Sequence, residues 1–236
     1  MIFFASNKMK GLSCMNYDGV NMITCGFGNC YVVRGRRGDI LIDTCTKEYR
    51  GEIEVWLHNY DIRLIVLTHG HNDHIGNAAY FSKLFGADIA MCVYDMKLAR
   101  DNSIHKLYSV GAAGKLLKAV STSPKILRET RAESFGTDIF LDDGMSLGED
   151  FGADCTAVKL DGHTKGSYGV LCGSDLYVGD AAMNFVRPSF PLICESPKAA
   201  GKSLERIRAI KPKRIFFCHG KPVEEGTNEY RKLFAG

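Results

Sequence analysis

Six residues place the tightest constraint on this chain. In His69-Gly70-His71-Asn72-Asp73-His74, three imidazoles and one carboxylate fall together just after the apolar run Leu64-Ile65-Val66-Leu67. Neutral imidazole and carboxylate are the donors that zinc and its first-row neighbours take, and Gly70 frees the backbone to turn several of them inward. A short apolar run that stops at such a cluster predicts a buried strand delivering ligands from its carboxyl end, where open α/β sheets place their sites. The competing reading is a polar loop of chance histidines, and it leaves the donors further along the chain unexplained.

At 236 residues, 45% of them hydrophobic, the chain can bury one sizeable core, so a single domain spanning residues 1–236 is expected. A formal charge of +3 compels neither a nucleic-acid nor a membrane partner. No apolar run reaches the roughly 18 residues of a spanning helix. Met1 to Lys8 puts its apolar residues ahead of its basic one, the reverse of a secretory leader. The nine cysteines are odd in number and include no CxxC pair. That pattern predicts mostly small buried side chains in a reducing, cytoplasmic setting.

Strands are expected at Val20 to Thr24, Cys30 to Val33 and Asp39 to Asp43, with Arg36-Arg37-Gly38 as a hairpin connection. Ile53, Trp56 and Leu57 predict an amphipathic helix within Lys47 to Tyr60, and Ile75 to Phe85 a second, closed by Gly86. Asp88 to Val93 reads as a strand. Tyr94 to Glu133 carries apolar residues at mixed spacing and reads as a helical lid over residues 94–134, with eight basic side chains against four acidic ones. That excess is either a solvated surface or a cover that attracts an anionic substrate. Strands resume at Ile139 to Leu141, Cys155 to Leu160, Tyr168 to Cys172 and Leu176 to Val178. Ser196-Pro197 opens a helix through Ile210, Arg214 to Cys218 is a last buried strand, and Glu224 to Phe234 is read as a terminal helix.

Later strand ends carry further donors: His163 after Leu160, Asp180 after Val178, and His219 after Cys218. Six donors beside one bridging carboxylate exceed a tetrahedral zinc, so two metals are expected, about 3.5–4 Å apart, with a water between them that ionises near neutral pH. His105, Lys165 and Tyr168 are candidates for substrate contact.

With Asp43 in Leu41-Ile42-Asp43-Thr44, these stretches resemble the five ordered motifs of the metallo-β-lactamase superfamily, over roughly Val20 to His219. The resemblance implies an α+β fold, a four-layer αββα sandwich with the site at one edge between the sheets. It implies that His69, His71 and His163 hold one metal and that Asp73, His74 and His219 hold the other. Asp180 would bridge the two, and Asp43 would orient ligands from behind. The implied cofactor is two zinc ions per chain, with iron or manganese as alternatives. A metal-held hydroxide would attack a small ester, thioester or lactone, with the leaving group protonated through Asp73, the catalytic candidate, or through bound water.

Asp180 is similar to the bridging aspartate of glyoxalase II, acyl-homoserine lactonases and tRNA-processing nucleases, and departs from the true β-lactamases. Gly162-His163-Thr164-Lys165-Gly166-Ser167 lacks the second histidine and the proline of the glyoxalase II and lactonase form. Only 17 residues follow His219, where glyoxalase II carries a helical domain, and the nuclease branch's insertion has no room between Asp180 and His219. A small-molecule substrate is therefore expected rather than nucleic acid, with no membrane partner and with a homo-oligomer allowed. The alternatives are a phosphodiesterase or RNA-processing nuclease of the same fold, or an iron-dependent oxidoreductase, against which His71 speaks because the diiron variants carry glutamate there.

Overall fold

Successive apolar side chains in the central strands go to opposite faces, and both faces are covered. Ile40, Ile42, Leu64 and Val66 join one buried cluster, while Leu41, Ile65 and Leu67 join another. An unbroken apolar run is what a strand buried on two sides requires.

The computed structural model describes residues 12–17 and 20–234. Its strands are β1 (Leu12–Tyr17), β2 (Val20–Cys25), β3 (Gly28–Arg34), β4 (Asp39–Ile42), β5 (Ile62–Val66), β6 (Asp88–Met91), β7 (Tyr108–Ser109), β8 (Ile139–Phe140), β9 (Cys155–Lys159), β10 (Tyr168–Cys172), β11 (Asp175–Tyr177), β12 (Ile193–Cys194), β13 (Arg214–Phe216) and β14 (Val223–Glu224). Its helices are α1 (Arg50–Leu57), α2 (Asn72–Ile75), α3 (Ala78–Phe85), α4 (Met96–Arg100), α5 (Gly111–Ser121), α6 (Pro124–Thr130), α7 (Pro197–Ile210) and α8 (Asn228–Leu233).

One seven-stranded sheet runs β1-β2-β3-β4-β5-β6-β8, and a five-stranded sheet runs β14-β13-β11-β10-β9. The first sheet is antiparallel from β1 to β4 and parallel from β4 onward, because α1 and then α2–α3 return the chain to start the next strand from the same end. Three apolar clusters define four layers. Val20, Tyr31 and Ile42 meet Val170, Tyr177 and Phe216 between the sheets. Ile53, Leu57 and Phe81 cover the outer face of the first sheet, and Ile207 with Leu233 covers that of the second. This is the expected αββα sandwich. A fully buried side chain such as Phe81 contributes about 1.5–3 kcal/mol. Tyr31 joins the sheets directly, stacking edge-on with Tyr177 at 5.1 Å and donating its hydroxyl to the Phe217 carbonyl.

Several elements differ from the sequence expectation. The helix expected over Ile75 to Phe85 is two helices, α2 and α3, parted at Gly76, where a Cβ would lie 2.4 Å from the Cys45 carbonyl oxygen. The terminal helix begins only at Asn228, capped by Thr227, because Val223 and Glu224 pair with β13 instead. The ladder between β7 and β12 has no counterpart in the sequence reading. Six free cysteines are buried as expected, but Cys155 and Cys172 stand opposite each other across β9 and β10 and their sulfurs are bonded. Met1 to Lys8, read against a leader, and Cys14, one of the nine cysteines, have no described side chains. Among the described residues no helix is long and apolar enough to cross a membrane.

Candidate metal centre

The donors gather at the seam of the sandwich. His69, His71 and His74 follow β5 of the first sheet, while His163, Asp180 and His219 come from loops after strands of the second. They form two groups. His71 Nδ1 lies 2.9 Å from His69 Nε2 and 3.0 Å from His163 Nε2. The second group is His74, Asp180, Cys218 and His219, its donor atoms within 4.8 Å of one another.

Four of the five donor rings are held from the far side, which fixes their tautomers. His163 Nδ1 donates to the Ile193 carbonyl at 2.8 Å, His219 Nδ1 to the Phe27 carbonyl at 2.8 Å, and His74 Nδ1 to Asp43 Oδ2 at 2.9 Å. His71 is held by a two-step chain: its Nε2 meets His105 Nδ1 at 2.5 Å, and His105 Nε2 meets Glu195 Oε1 at 2.9 Å. The nearby Glu195 carboxylate favours a proton on His105 Nε2 by charge alone, so His105 Nδ1 accepts from His71 and the His71 Nδ1 lone pair faces the other two imidazoles. This outer shell of carboxylate and carbonyl acceptors is the arrangement that orients metal-binding histidines.

Three buried atoms around the centre have no hydrogen-bond partner, His105 Nε2, His74 Nε2 and Asp180 Oδ1, and the last two stand 3.7 Å apart. Asp180 Oδ2 lies 3.5 Å from His163 Nε2 and 3.4 Å from His219 Nε2, so this one carboxylate borders both groups. Asp73 lies at the edge, its side chain 45% exposed and its Oδ2 3.4 Å from His219 Nε2. Orphaned buried lone pairs beside convergent imidazoles suit a cation, so the residues present fit a metal site.

The electrostatics agree. Burial, reinforced by neighbouring imidazoles, holds His69 and His71 well below the usual histidine range and keeps their lone pairs free. Burial opposes ionisation of Asp180, but His219 and His74 outweigh it and hold the carboxyl well below its usual range. Burial likewise opposes charge on His219, and Asp180 and Asp73 overcome it. The second group therefore favours positive charge at its centre.

Asp43 lies behind the His74 ring, on the side away from Asp180. It accepts from Thr68 N and Thr68 Oγ1, both at 2.8 Å, as well as from His74, and its backbone is left-handed at φ 57°, a conformation aspartate tolerates better than most residues. Among the substrate-contact candidates, His105 lines the cavity over the donors, whereas Tyr168 is packed in the core between the sheets and Lys165 lies over the Tyr94 ring.

Four residues escaped the sequence reading. Cys218 joins the second group, and Glu195 anchors His105. Asn102 donates to the Gly70 carbonyl at 2.9 Å and accepts from Asn72 N at 2.8 Å. Asp95, 2% exposed, accepts from Gly70 N and Gly166 N and from the Thr164 hydroxyl, tying the two loops that carry the first group. Only Cys218, flanking a donor at a strand end, left any local signal.

A model of the metallo-beta-lactamase superfamily matches residues 23–219. The chain is 28% identical over 228 residues to the beta-lactamase-like protein 2 homolog of Drosophila melanogaster, covering 92% of this chain and 65% of that protein. It thus spans just under two thirds of that relative's length. Among solved structures it is similar to a metallo-beta-lactamase family protein from Thermus thermophilus, with a TM-score of 0.67, 22% identity, and 96% of this chain and 79% of that one covered. It is also similar to TTHA1623, solved in a di-iron-bound form, with a TM-score of 0.61, 20% identity, and 90% and 94% covered.

Proposed function

The chain belongs to the metallo-beta-lactamase superfamily, whose members are mostly metal-dependent hydrolases, and from that premise we propose that it is a zinc hydrolase with a dinuclear centre acting on a small ester, thioester or lactone. The observation that carries the reading is Asp180, a buried carboxylate bordering two separate donor groups with one oxygen unpartnered. His69, His71 and His163 would hold one ion; His74, His219 and Asp73 the other, with Asp180 shared between them. Bound there, two divalent ions supply Lewis acidity toward a carbonyl oxygen and a lowered pKa for coordinated water.

The protein's own residues supply positioning and proton handling. Asp73, with His74 and His219 holding its carboxyl ionised against partial burial, presents a half-buried carboxylate to the cavity and is placed to take a proton and pass it to the leaving group. The Glu195–His105 chain and Asp43 keep the donor rings from turning. Phe185, stacked on His219 at 5.1 Å, walls the centre from solvent. The segment over 94–134 acts as a cover. The six buried free thiols suit a cytoplasmic setting; the Cys155–Cys172 bond is the feature against it.

The test is metal content by elemental mass spectrometry on protein purified without added metal, beside a hydrolysis panel of aryl esters, lactones, thioesters and bis-aryl phosphates. About two zinc per chain with turnover of one carbonyl class is the expected result. Iron with a silent panel overturns it in favour of redox chemistry, and activity confined to the phosphates overturns it in favour of a nuclease.

A further inference from the structure

Resting on that hydrolase reading, we propose that the natural substrate carries an uncharged apolar tail, a long acyl or aryl group, which lies beneath α5 and α6 while its carbonyl reaches the donor groups. The cavity above the donors holds about 360 Å³, within the range of sites that enclose small organic ligands. His71, Asp73, His163, Asp180 and His219 line one end of it. The remainder is mostly apolar: Leu117, Val120, Ile126 and Leu127 come from the two helices, with Met183 and Phe185 facing them.

The helices are built to present that surface. Leu117 and Val120 are three apart on α5 and so share a face, and Ser123 caps α6 at Ile126 N to bring Ile126 and Leu127 alongside. Gly114 seats α5 closely, since a Cβ there would lie 2.3 Å from the Leu192 carbonyl oxygen.

Charge decides what kind of ligand fits. Among the described residues no lysine, arginine or glutamate lines the cavity, and its only carboxylates, Asp73 and Asp180, are at the donor end. The basic side chains of residues 94–134 point elsewhere: Lys118 donates to the Leu107 carbonyl, and the other seven are exposed. An anionic tail or a phosphate backbone would enter a wall with no countercharge, whereas an aliphatic chain would cover apolar surface now open to water, including Val120, which is 54% exposed.

The experiment is a series of 4-nitrophenyl esters from acetyl to decanoyl, below their micelle concentrations, with calorimetric binding of 2-dodecanone and 2-butanone, ketones that cannot be hydrolysed. We expect kcat/KM to climb about threefold to fourfold per methylene while the tail enters the cavity, and 2-dodecanone to bind where 2-butanone does not. Val120→Glu should lower the decanoyl-to-acetyl ratio about tenfold or more, while Leu116→Glu, on an exposed position outside the lining, should leave the ratio alone. Equal turnover of short and long esters removes the tail proposal and leaves the hydrolase standing. A silent ester series with 2-dodecanone bound does the reverse, and failure of 2-dodecanone to bind overturns the proposal whatever the catalysis.

Discussion

Replacing Asp95 with asparagine probes the tie between the two loops of the candidate centre. Asp95 Oδ2 accepts from Gly70 N at 2.9 Å and Thr164 Oγ1 at 2.7 Å, and Oδ1 accepts from Gly166 N at 2.8 Å. Asparagine keeps the shape, and its oxygen takes the side with two donors. Its amide nitrogen then faces the Gly166 N–H, donor to donor, and a buried donor left unpaired costs about 1–3 kcal/mol. Part of that returns, because burial pushes the Asp95 carboxyl above its usual range and the amide carries no charge. The net loss should be about 1–2 kcal/mol, or a Tm about 2–8 °C lower for a chain of this size.

The deficit should also depend on pH. A carboxyl whose folded pKa is raised contributes stability that is present below its unfolded value of about 3.9 and lost as pH rises through the folded value. Asparagine lacks this contribution, so the variant's deficit should be largest in acid and shrink toward neutrality. Urea titrations across that range, with calorimetric zinc titrations of the same samples, give both readouts. An unchanged urea midpoint together with unchanged zinc affinity would show that Asp95 holds neither loop.

Other residues give sharper single outcomes. Asp43→Asn keeps a residue that tolerates φ 57°, and its one oxygen can stay with Thr68 Oγ1 and His74 Nδ1, but the carboxylate charge behind His74 is lost and the amide faces Thr68 N donor to donor, so affinity for zinc at the proposed His74 side should fall about 10- to 100-fold in chelator competition; affinity equal to that of the unaltered protein refutes the positioning argument. Glu195→Gln should weaken the other zinc site by about tenfold, since an amide can offer His105 a donor and so release the His71 ring. If zinc binds as before, the two-step chain has no positioning role. Phe81→Ala, fully buried between α3 and the first sheet, should cost about 3–5 kcal/mol by urea unfolding without altering zinc stoichiometry.

Much of the centre was legible because strand ends announce themselves: an apolar run stops, and a polar donor follows. His69, His163, Asp180 and His219 all sit at such stops, and so does Asp43, while His74 follows within the same cluster on α2. Asp95 does not, and Glu195 follows a two-residue strand, β12, too short to announce itself. They act across 71 residues to Gly166 and from β12 to the His105 loop, and a side chain that works at that range leaves no local periodicity. The cover over the cavity was read as one undivided helical lid for a different reason. Two short helices with unrelated phases blur into mixed spacing, although Ser123-Pro124 carries the same capping signature as Ser196-Pro197. Ser-Pro at a helix start would have divided α5 from α6.

The seam position of the donors has a consequence for how the chain is made. Neither donor group belongs to one half of the molecule: the first pairs His69 and His71 with His163, and the second pairs His74 with Asp180, Cys218 and His219. A ribosome releases the first sheet with its share of each set while the other share is still untranslated. The growing chain can therefore offer a passing cation only an incomplete grip, and full coordination waits until the second sheet has docked. On the proposed metal reading, capture of an ion would mark completed assembly, and the seated ion would rivet the two sheets across the joint where the Thr68 carbonyl accepts from Tyr168 N at 2.8 Å.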